Sequence, residues 1–420
     1  MSTRIIPTQK QLDYMDWEFG VFFHFGIRSF FKGHSDWDGK PMPASAFLPE
    51  HLDCDQWIRD SKAAGARYAI LTAKHHDGFC NWPSKYTDYS VASSPWKGGK
   101  GDVVAEFVAA CRKYGVKVGL YCSPAQWGGG EDFANETAYD DYFINQLTEL
   151  LTGYGRIDYI WFDGCGSDKH TFDAVRITGA VRAMQPDICI FEMWDPDVRW
   201  VRNEEGYADS PNRNTVTETD HTTHFYPDRV FPQPRFLPAE CDLMMRDRSW
   251  FDCRDNEETV KGVEELMGIY EMSVGRGANF LLGIGPEAKG SLPEPDTRRL
   301  LEFGQALTER YGSPVEGFTA VGQEEAGWTI HTEAKDGALV NRVMITEDLT
   351  QGESVLGFTL YFEPVLYPQR RICLYRGTTI GHKAICVFPA VRTGKIILEI
   401  DEQEGPAKIL SMAPYLVRTV

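Results

Sequence analysis

The sequence predicts an α/β fold: a (β/α)₈-like TIM barrel over residues 1–312, followed by a C-terminal antiparallel β-sandwich over residues 313–420. Three observations predict it. Short apolar runs alternate with helical patterns up to about residue 312, which means βαβ units and a parallel sheet. Those runs are apolar at successive positions, as strands covered on both faces are, and five units follow in series, which favours a closed barrel over an open sheet. After Pro314 the period switches to two, with turns such as Asp336-Gly337 between the runs, the pattern of an antiparallel sandwich. The chain has 420 residues, 42% of them hydrophobic. A barrel needs about 250 residues, so one barrel and one small second domain fit.

Each element follows in order. Gly20 to Phe25 reads as the first strand. Asp55 to Gly65 reads as a helix closed by its glycine. Arg67 to Thr72 is the second strand, and Asp102 to Tyr114 a helix opened by an N-capping Asp. Val116 to Tyr121 is the third strand. A helix from Tyr139 to Tyr154 leads to the strand Ile157 to Phe162, and one from Phe172 to Met184 leads to Ile188–Phe191. From Asp195 to Asp255 the pattern breaks into a loop-rich stretch dense in charges and aromatics, an excursion of the kind that builds active sites. The helix Thr259 to Gly275, the strand Asn279 to Leu282 and the helix Asp296 to Arg310 resume the alternation. The sandwich strands are Thr329–Thr332, Val340–Thr346, Phe358–Phe362, Arg371–Tyr375 and Ile396–Ile400.

Net charge is −18, with a pI near 5.0. Nucleic acid and anionic membranes need clustered Lys and Arg, so neither is expected as a partner. A neutral substrate fits, and so does acidity that serves solubility alone. No apolar run reaches the roughly 18 residues of a membrane span. Met1 to Asp16 lacks the apolar run of a signal peptide, so a cytoplasmic enzyme is expected; an exported enzyme whose signal peptide has been removed would look the same. Ten cysteines occur without a metal spacing. Cys111, Cys122, Cys189 and Cys373 lie in apolar segments and are expected as buried free thiols.

In a barrel, polar residues at the C-terminal ends of strands face the active site. The first strand ends in His24, and the second runs into Thr72-Ala73-Lys74-His75-His76-Asp77-Gly78-Phe79. The third ends in Tyr121, the fourth in Trp161-Phe162-Asp163-Gly164, the fifth near Glu192 and Trp194. Such a set suits a sugar: aromatics pack on the apolar ring face, while imidazoles and carboxylates bond hydroxyls. Asp163 is the most informative. The structural alternative is an Asp capping the next helix, but Gly164-Cys165-Gly166 makes a tight turn that presents the carboxylate. Asp158, within the same strand, is expected to be structural. His75 and His76 are adjacent and in extended chain point opposite ways, one into the pocket and one into a buried hydrogen bond. Lone His24 is as readily a satisfied core histidine as a pocket residue.

Other chemistries find less support. Metal pairs on a strand usually sit two apart, as His-x-His, which does not occur, so neither metal nor cofactor is expected. There is no Gly-x-Ser-x-Gly elbow, phosphate loop or dinucleotide fingerprint. Gly98-Gly99-Lys100-Gly101 follows no strand and reads as a turn.

The block Tyr68-Ala69-Ile70-Leu71-Thr72-Ala73-Lys74-His75-His76-Asp77-Gly78-Phe79-Cys80-Asn81-Trp82-Pro83-Ser84-Lys85-Tyr86-Thr87 resembles the signature of glycoside hydrolase family 29, the α-L-fucosidases. Glu18 to Gly26, Ser94 to Lys97, Gly101 to Val104, Tyr159 to Gly164 and Gly277 to Pro286 continue the resemblance, which reaches the sandwich at Val340–Met344 and Gly377–Lys383. It implies a retaining exo-α-L-fucosidase acting on fucosylated oligosaccharides by double displacement, with two carboxyls roughly 5–5.5 Å apart. It makes Asp163 the nucleophile. It places His24, His75, His76, Tyr121 and Trp161 in the fucose pocket, and Trp82 at its rim. Arg199 to Gly206 resembles a segment of the branch that prefers α-1,3 and α-1,4 linkages, which implies Glu204 as acid/base. Pro238-Ala239-Glu240-Cys241-Asp242 marks the same branch and makes Glu240 the runner-up, with Glu205 also open. The acid/base needs a raised pKa.

Three departures bear on specificity. The family usually has Glu-Trp where this chain has Asp36-Trp37, both expected to bind substrate. Arg202 replaces a common Gly, and Ser249 precedes Trp250, another expected substrate contact, where a Gly is usual. Asp36 therefore invites a sibling hydrolase on a different α-linked sugar. A catalytically silent glycan-binding protein and a metal-dependent hydrolase complete the alternatives. The oligomeric state is left open.

Overall fold

The computed structural model describes residues 4–33, 40, 42–127, 136–167, 170–219, 229–252, 255–324 and 327–418. Helix α1 (Gln9–Met15) leads into β1 (Phe19–Phe23), and the alternation continues through α2 (Cys54–Ala63), β2 (Tyr68–Lys74), α3 (Val103–Tyr114), β3 (Lys117–Cys122), α4 (Glu136–Gly153), β4 (Tyr159–Trp161), α5 (Ala174–Met184) and β5 (Cys189–Phe191). Local chemistry sets these bounds. The Asp102 side chain accepts the Ala105 N–H at the start of α3, and Val103, Val104, Phe107, Val108 and Cys111 form its buried stripe. Gly115 then takes a left-handed φ of 64°, which stops the helix and turns the chain into β3. Asp53 and Asp173 cap α2 and α5 in the same way.

The Asp195–Asp255 stretch, read from sequence as loops, contains two further barrel strands, β6 (Arg199–Trp200) and β9 (Ala239–Met244), and between them the antiparallel pair β7 (Thr215–Thr219) and β8 (Arg229–Phe236). β6 is too short to show a period. β9 carries Glu240 and Asp242, which break its apolar run. After α6 (Val263–Ser273), β10 (Asn279–Ile284) completes an eight-stranded sheet in the order β5-β4-β3-β2-β1-β10-β9-β6. Every neighbouring pair is parallel. A bridge from Phe191 to Val198 brings the two edges together. This is the expected barrel, nearly closed, with no helix on either side of β6 among the described residues. The last helix, α7 (Glu294–Tyr311), packs on its outside against α6 and α2.

The barrel interior holds Phe22, Tyr68, Ile70, Tyr121, Tyr159, Trp161, Phe191 and Leu281, with Tyr14 and Trp17 packed against it from the N-terminal side. A second apolar layer lies between strands and helices. The C-terminal strands are β11 (Gly322–Glu324), β12 (Gly327–His331), β13 (Ala338–Glu347), β14 (Val355–Pro364), β15 (Ile372–Gly377), β16 (Ala384–Gln403) and β17 (Ile409–Tyr415). They form one antiparallel sheet. The first part of β16 pairs with β13, and its later part with β12 and β14, so the sheet curls into two layers around Ile330, Val343, Phe358, Leu360 and Leu398.

The nine described cysteines are free thiols. Cys111, Cys122 and Cys189 are buried as expected, but Cys373 is exposed, because β15 pairs only with β14 and shows its outer face to solvent. Among the described residues no helix is long and apolar enough to cross a membrane.

Candidate active site

The C-terminal ends of β1 to β4 converge. His24 follows β1, and its ring lies 4.7 Å from Trp250 and 6.0 Å from His75, centroid to centroid. His75 stacks on Tyr121 at 5.6 Å, and Tyr121 stacks on Trp161 at 5.4 Å. Phe251 closes on His24 and His75 edge-on. These rings, drawn from four strands and one loop, form a single aromatic and imidazole cup.

Asp163 stands in its wall, 24% exposed. Its Oδ1 accepts the Cys165 N–H at 2.9 Å, the tight turn expected in place of a helix cap. Its Oδ2 accepts the Tyr121 hydroxyl at 2.9 Å and lies 3.4 Å from His76 Nε2. Burial pushes the carboxyl pKa up, but the His76 ring and the Cys165 and Tyr121 donors outweigh it and hold Asp163 below its usual value. It is therefore ionised at neutral pH. Asp158 is a structural residue as expected: it accepts the Val118 N–H and the Arg156 guanidinium.

Burial has the opposite charge consequence for the imidazoles. It lowers His24 to about 3, with His76 adding to the effect and Asp163 opposing it. It also lowers His75 well below 6.5, with His76, His24 and Arg28 adding to it. Both rings are neutral at pH 7. Among the described residues His24 Nδ1 and His75 Nδ1 have no hydrogen-bond partner, which leaves them for hydroxyls.

Sequence alternation placed His75 and His76 on opposite faces, but both enter the site, with rings 4.3 Å apart. The reason is that β2 ends at Lys74 and the chain turns, the Gly78 N–H bonding the His75 carbonyl at 2.9 Å. Much of the long motif around them is structural. Asp77 accepts the Phe79 N–H and pairs with buried Arg28, while Asn81 Nδ2 donates to the carbonyls of Phe25 and Thr72, tying β1 to β2.

Trp82 is not at the rim. It is 2% exposed, and its indole donates to Glu149 on α4 at 2.9 Å, so it belongs to the layer between barrel and helices. The candidates Asp36 and Trp37 lie outside the described residues.

The three glutamates separate clearly. Glu240 is fully buried inside the barrel, where it accepts from Tyr14 (2.7 Å), Tyr68 (2.8 Å), Tyr159 (3.1 Å) and the Trp161 indole (2.9 Å). Glu204 is exposed on the segment after β6. Its charge acts on Asp242, whose carboxyl is raised first by burial and then by Glu204, and which accepts the Trp200 indole at 2.5 Å. Glu205 is exposed, and its backbone bridges to Leu243.

The sequence reading missed Ser123, whose Oγ lies 2.6 Å from His76 Nδ1, and Trp127, whose ring is 4.9 Å from that of His76. Ser123 was findable, since it follows Tyr121 by two and so shares its face. Trp127 lies beyond the strand and gives no periodic signal. Among the described residues no group of three or more His, Cys, Asp or Glu is arranged to hold a metal ion.

One anchored carboxylate, neutral imidazoles and aromatic faces at the C-terminal end of a parallel barrel define a glycoside hydrolase. The α-L-fucosidase family model matches residues 7–312. Alpha-L-fucosidase 1 of Arabidopsis thaliana is 32% identical over 98% of this chain and 87% of its own, and tissue alpha-L-fucosidase of Bos taurus is 28% identical over 69% and 66%. The crystal structure of a glycoside hydrolase 29 family member from a rumen bacterium superposes with a TM-score of 0.88 at 30% identity, over 100% of this chain and 79% of that one. The chain belongs to the α-L-fucosidase family, and it is a fucose-releasing glycoside hydrolase.

Proposed function

We propose that the enzyme is a retaining exo-α-L-fucosidase with a preference for α-1,3- and α-1,4-linked fucose. Asp163 attacks the anomeric carbon and forms a glycosyl-enzyme. Glu204 protonates the departing oxygen, then takes the proton from the water that releases fucose. His24 and His75 bond the sugar hydroxyls as neutral imidazoles, while Trp161, Tyr121 and Trp250 cover its apolar face. Asp36 and Trp37 complete the sugar contacts.

The observation that carries this reading is the set of three donors on Asp163, which keeps a partly exposed carboxylate ionised and aimed at the cup. Glu204 is preferred to Glu240 on access. Burial raises the Glu240 carboxyl in spite of its four donors, but it has no exposed surface, whereas the acid must reach solvent and a leaving group. The linkage preference is supported by the resemblance of Arg199 to Gly206.

The test is hydrolysis of an aryl α-L-fucoside by Asp163→Ala, with and without azide. Activity should vanish and return with azide, which replaces the missing carboxylate from the same face. Near wild-type turnover without azide overturns the assignment. Activity confined to another aryl glycoside overturns the fucose reading, and equal rates on α-1,2 and α-1,3/1,4 fucosides overturn the linkage preference.

A further inference from the structure

Ser123 is a small polar residue fully buried behind the site, and its hydrogen bonds can be counted. Its Oγ accepts the Ala125 N–H at 3.1 Å and lies 2.6 Å from His76 Nδ1; among the described residues it meets no other polar partner. A serine has one hydrogen to give. If Nδ1 carried the ring proton, Oγ would accept twice and its own hydrogen would be buried without an acceptor. If Nδ1 is a lone pair, Oγ accepts from Ala125 and donates to Nδ1, and every group is satisfied. The ring proton then sits on Nε2, and that atom has acceptors ready: Asp163 Oδ2 at 3.4 Å and the Tyr121 oxygen at 3.5 Å. Both ends of the ring agree on one tautomer.

We propose that Ser123 is a positioning residue that fixes His76 as its Nε2–H tautomer, so that the imidazole presents a donor, not a lone pair, to Asp163. The opposite tautomer would set a lone pair against the carboxylate and withdraw one of its three donors. Ser123 touches neither sugar nor reacting atoms; it acts through His76, as outer partners of a ring commonly set its tautomer. The His75, Tyr121 and Trp127 rings pack around the imidazole. The kinetic consequence rests on Asp163 being the nucleophile; the tautomer does not.

The experiment therefore has two arms. In the intact enzyme labelled with ¹⁵N-histidine, the ring correlations of His76, assigned by their loss in His76→Gln, should show the proton of the neutral ring on Nε2 and Nδ1 bare. In Ser123→Ala the pattern should become mixed, and kcat on an aryl α-L-fucoside should fall about tenfold or more with KM little changed, while Ser123→Thr, which keeps the hydroxyl, restores both. A neutral wild-type ring that carries its proton on Nδ1 overturns the proposal even if no variant folds. An unchanged Nε2–H pattern in Ser123→Ala overturns it as well. A mixed pattern with full activity keeps the tautomer assignment and overturns its effect on catalysis, which then points back at Asp163.

Discussion

The Tyr121 hydroxyl donates to Asp163 Oδ2 at 2.9 Å, from the neighbouring strand and one position short of its end. Parallel register makes the contact: β3 sets Tyr121 beside Trp161, and two residues later the carboxylate stands over the phenol. A donor to a carboxylate favours its ionised form, and here it acts with the His76 ring and the Cys165 N–H to depress the Asp163 pKa. Tyr121→Phe removes that donor, so the Asp163 pKa rises and the ionised nucleophile is lost at a higher pH. The acid limb of kcat/KM should move up, with a fall of about 10–100-fold at neutral pH. A limb that stays in place while activity falls would show that Tyr121 acts only by packing.

Glu204 is tested through the leaving group. Glu204→Ala should lose about 10²–10⁴-fold on a fucosylated oligosaccharide, whose leaving alcohol needs a proton, and far less on an aryl fucoside with an acidic phenol. The alkaline limb of the pH profile should disappear with the carboxyl. Equal losses on both substrates would remove Glu204 from the acid role.

Glu240 separates from that role by its own variant. Glu240→Gln turns one acceptor oxygen into an amide that faces donors, so stability should fall by about 1–3 kcal/mol. Trp161, which loses its indole acceptor, should loosen and raise KM. The alkaline limb should persist, which a denaturation midpoint and a pH–rate profile together would establish. Its disappearance would return Glu240 to candidacy.

The fold was readable where a single physical cause dominates the pattern. Strands β1, β2, β3 and β10 are buried on both faces and read as apolar runs, and Gly115 and Asp102 punctuate α3 by backbone geometry and capping alone. β9 was not readable, because Glu240 and Asp242 interrupt it and their compensation comes from Tyr14, Tyr68, Tyr159, Trp161 and Trp200, all distant in sequence. Asp163 was legible as a charge at the end of an apolar strand. Trp82 was misplaced because an aromatic in a long motif can serve the core as readily as the sugar, and only the Glu149 contact from α4 decides between them. The Tyr121 and His76 donors on Asp163, like the tautomer of His76, exist only once three strand ends have met.

The last prediction concerns the joint between barrel and sandwich. Glu18, just before β1, takes a φ of 54° and pairs with Lys383 at 2.5 Å and His382 at 3.5 Å, both from the turn before β16. Burial alone would raise the Glu18 carboxyl; His382 and Lys383 outweigh it and bring it from 4.5 to about 2. A carboxyl depressed in the folded state adds stability in full above its unfolded pKa and loses it as pH falls through the folded one. The pair therefore stabilises the joint at neutral pH, and its contribution fades between about pH 4.5 and pH 2. Lys383→Met should cost about 2 kcal/mol at pH 7, since it leaves a largely buried carboxylate short of a partner. The gap in denaturation midpoint between variant and wild type should close as the pH is lowered through that window. A gap of constant size from pH 7 to pH 3 would mean that Lys383 holds the sandwich by its aliphatic stem and not by its charge.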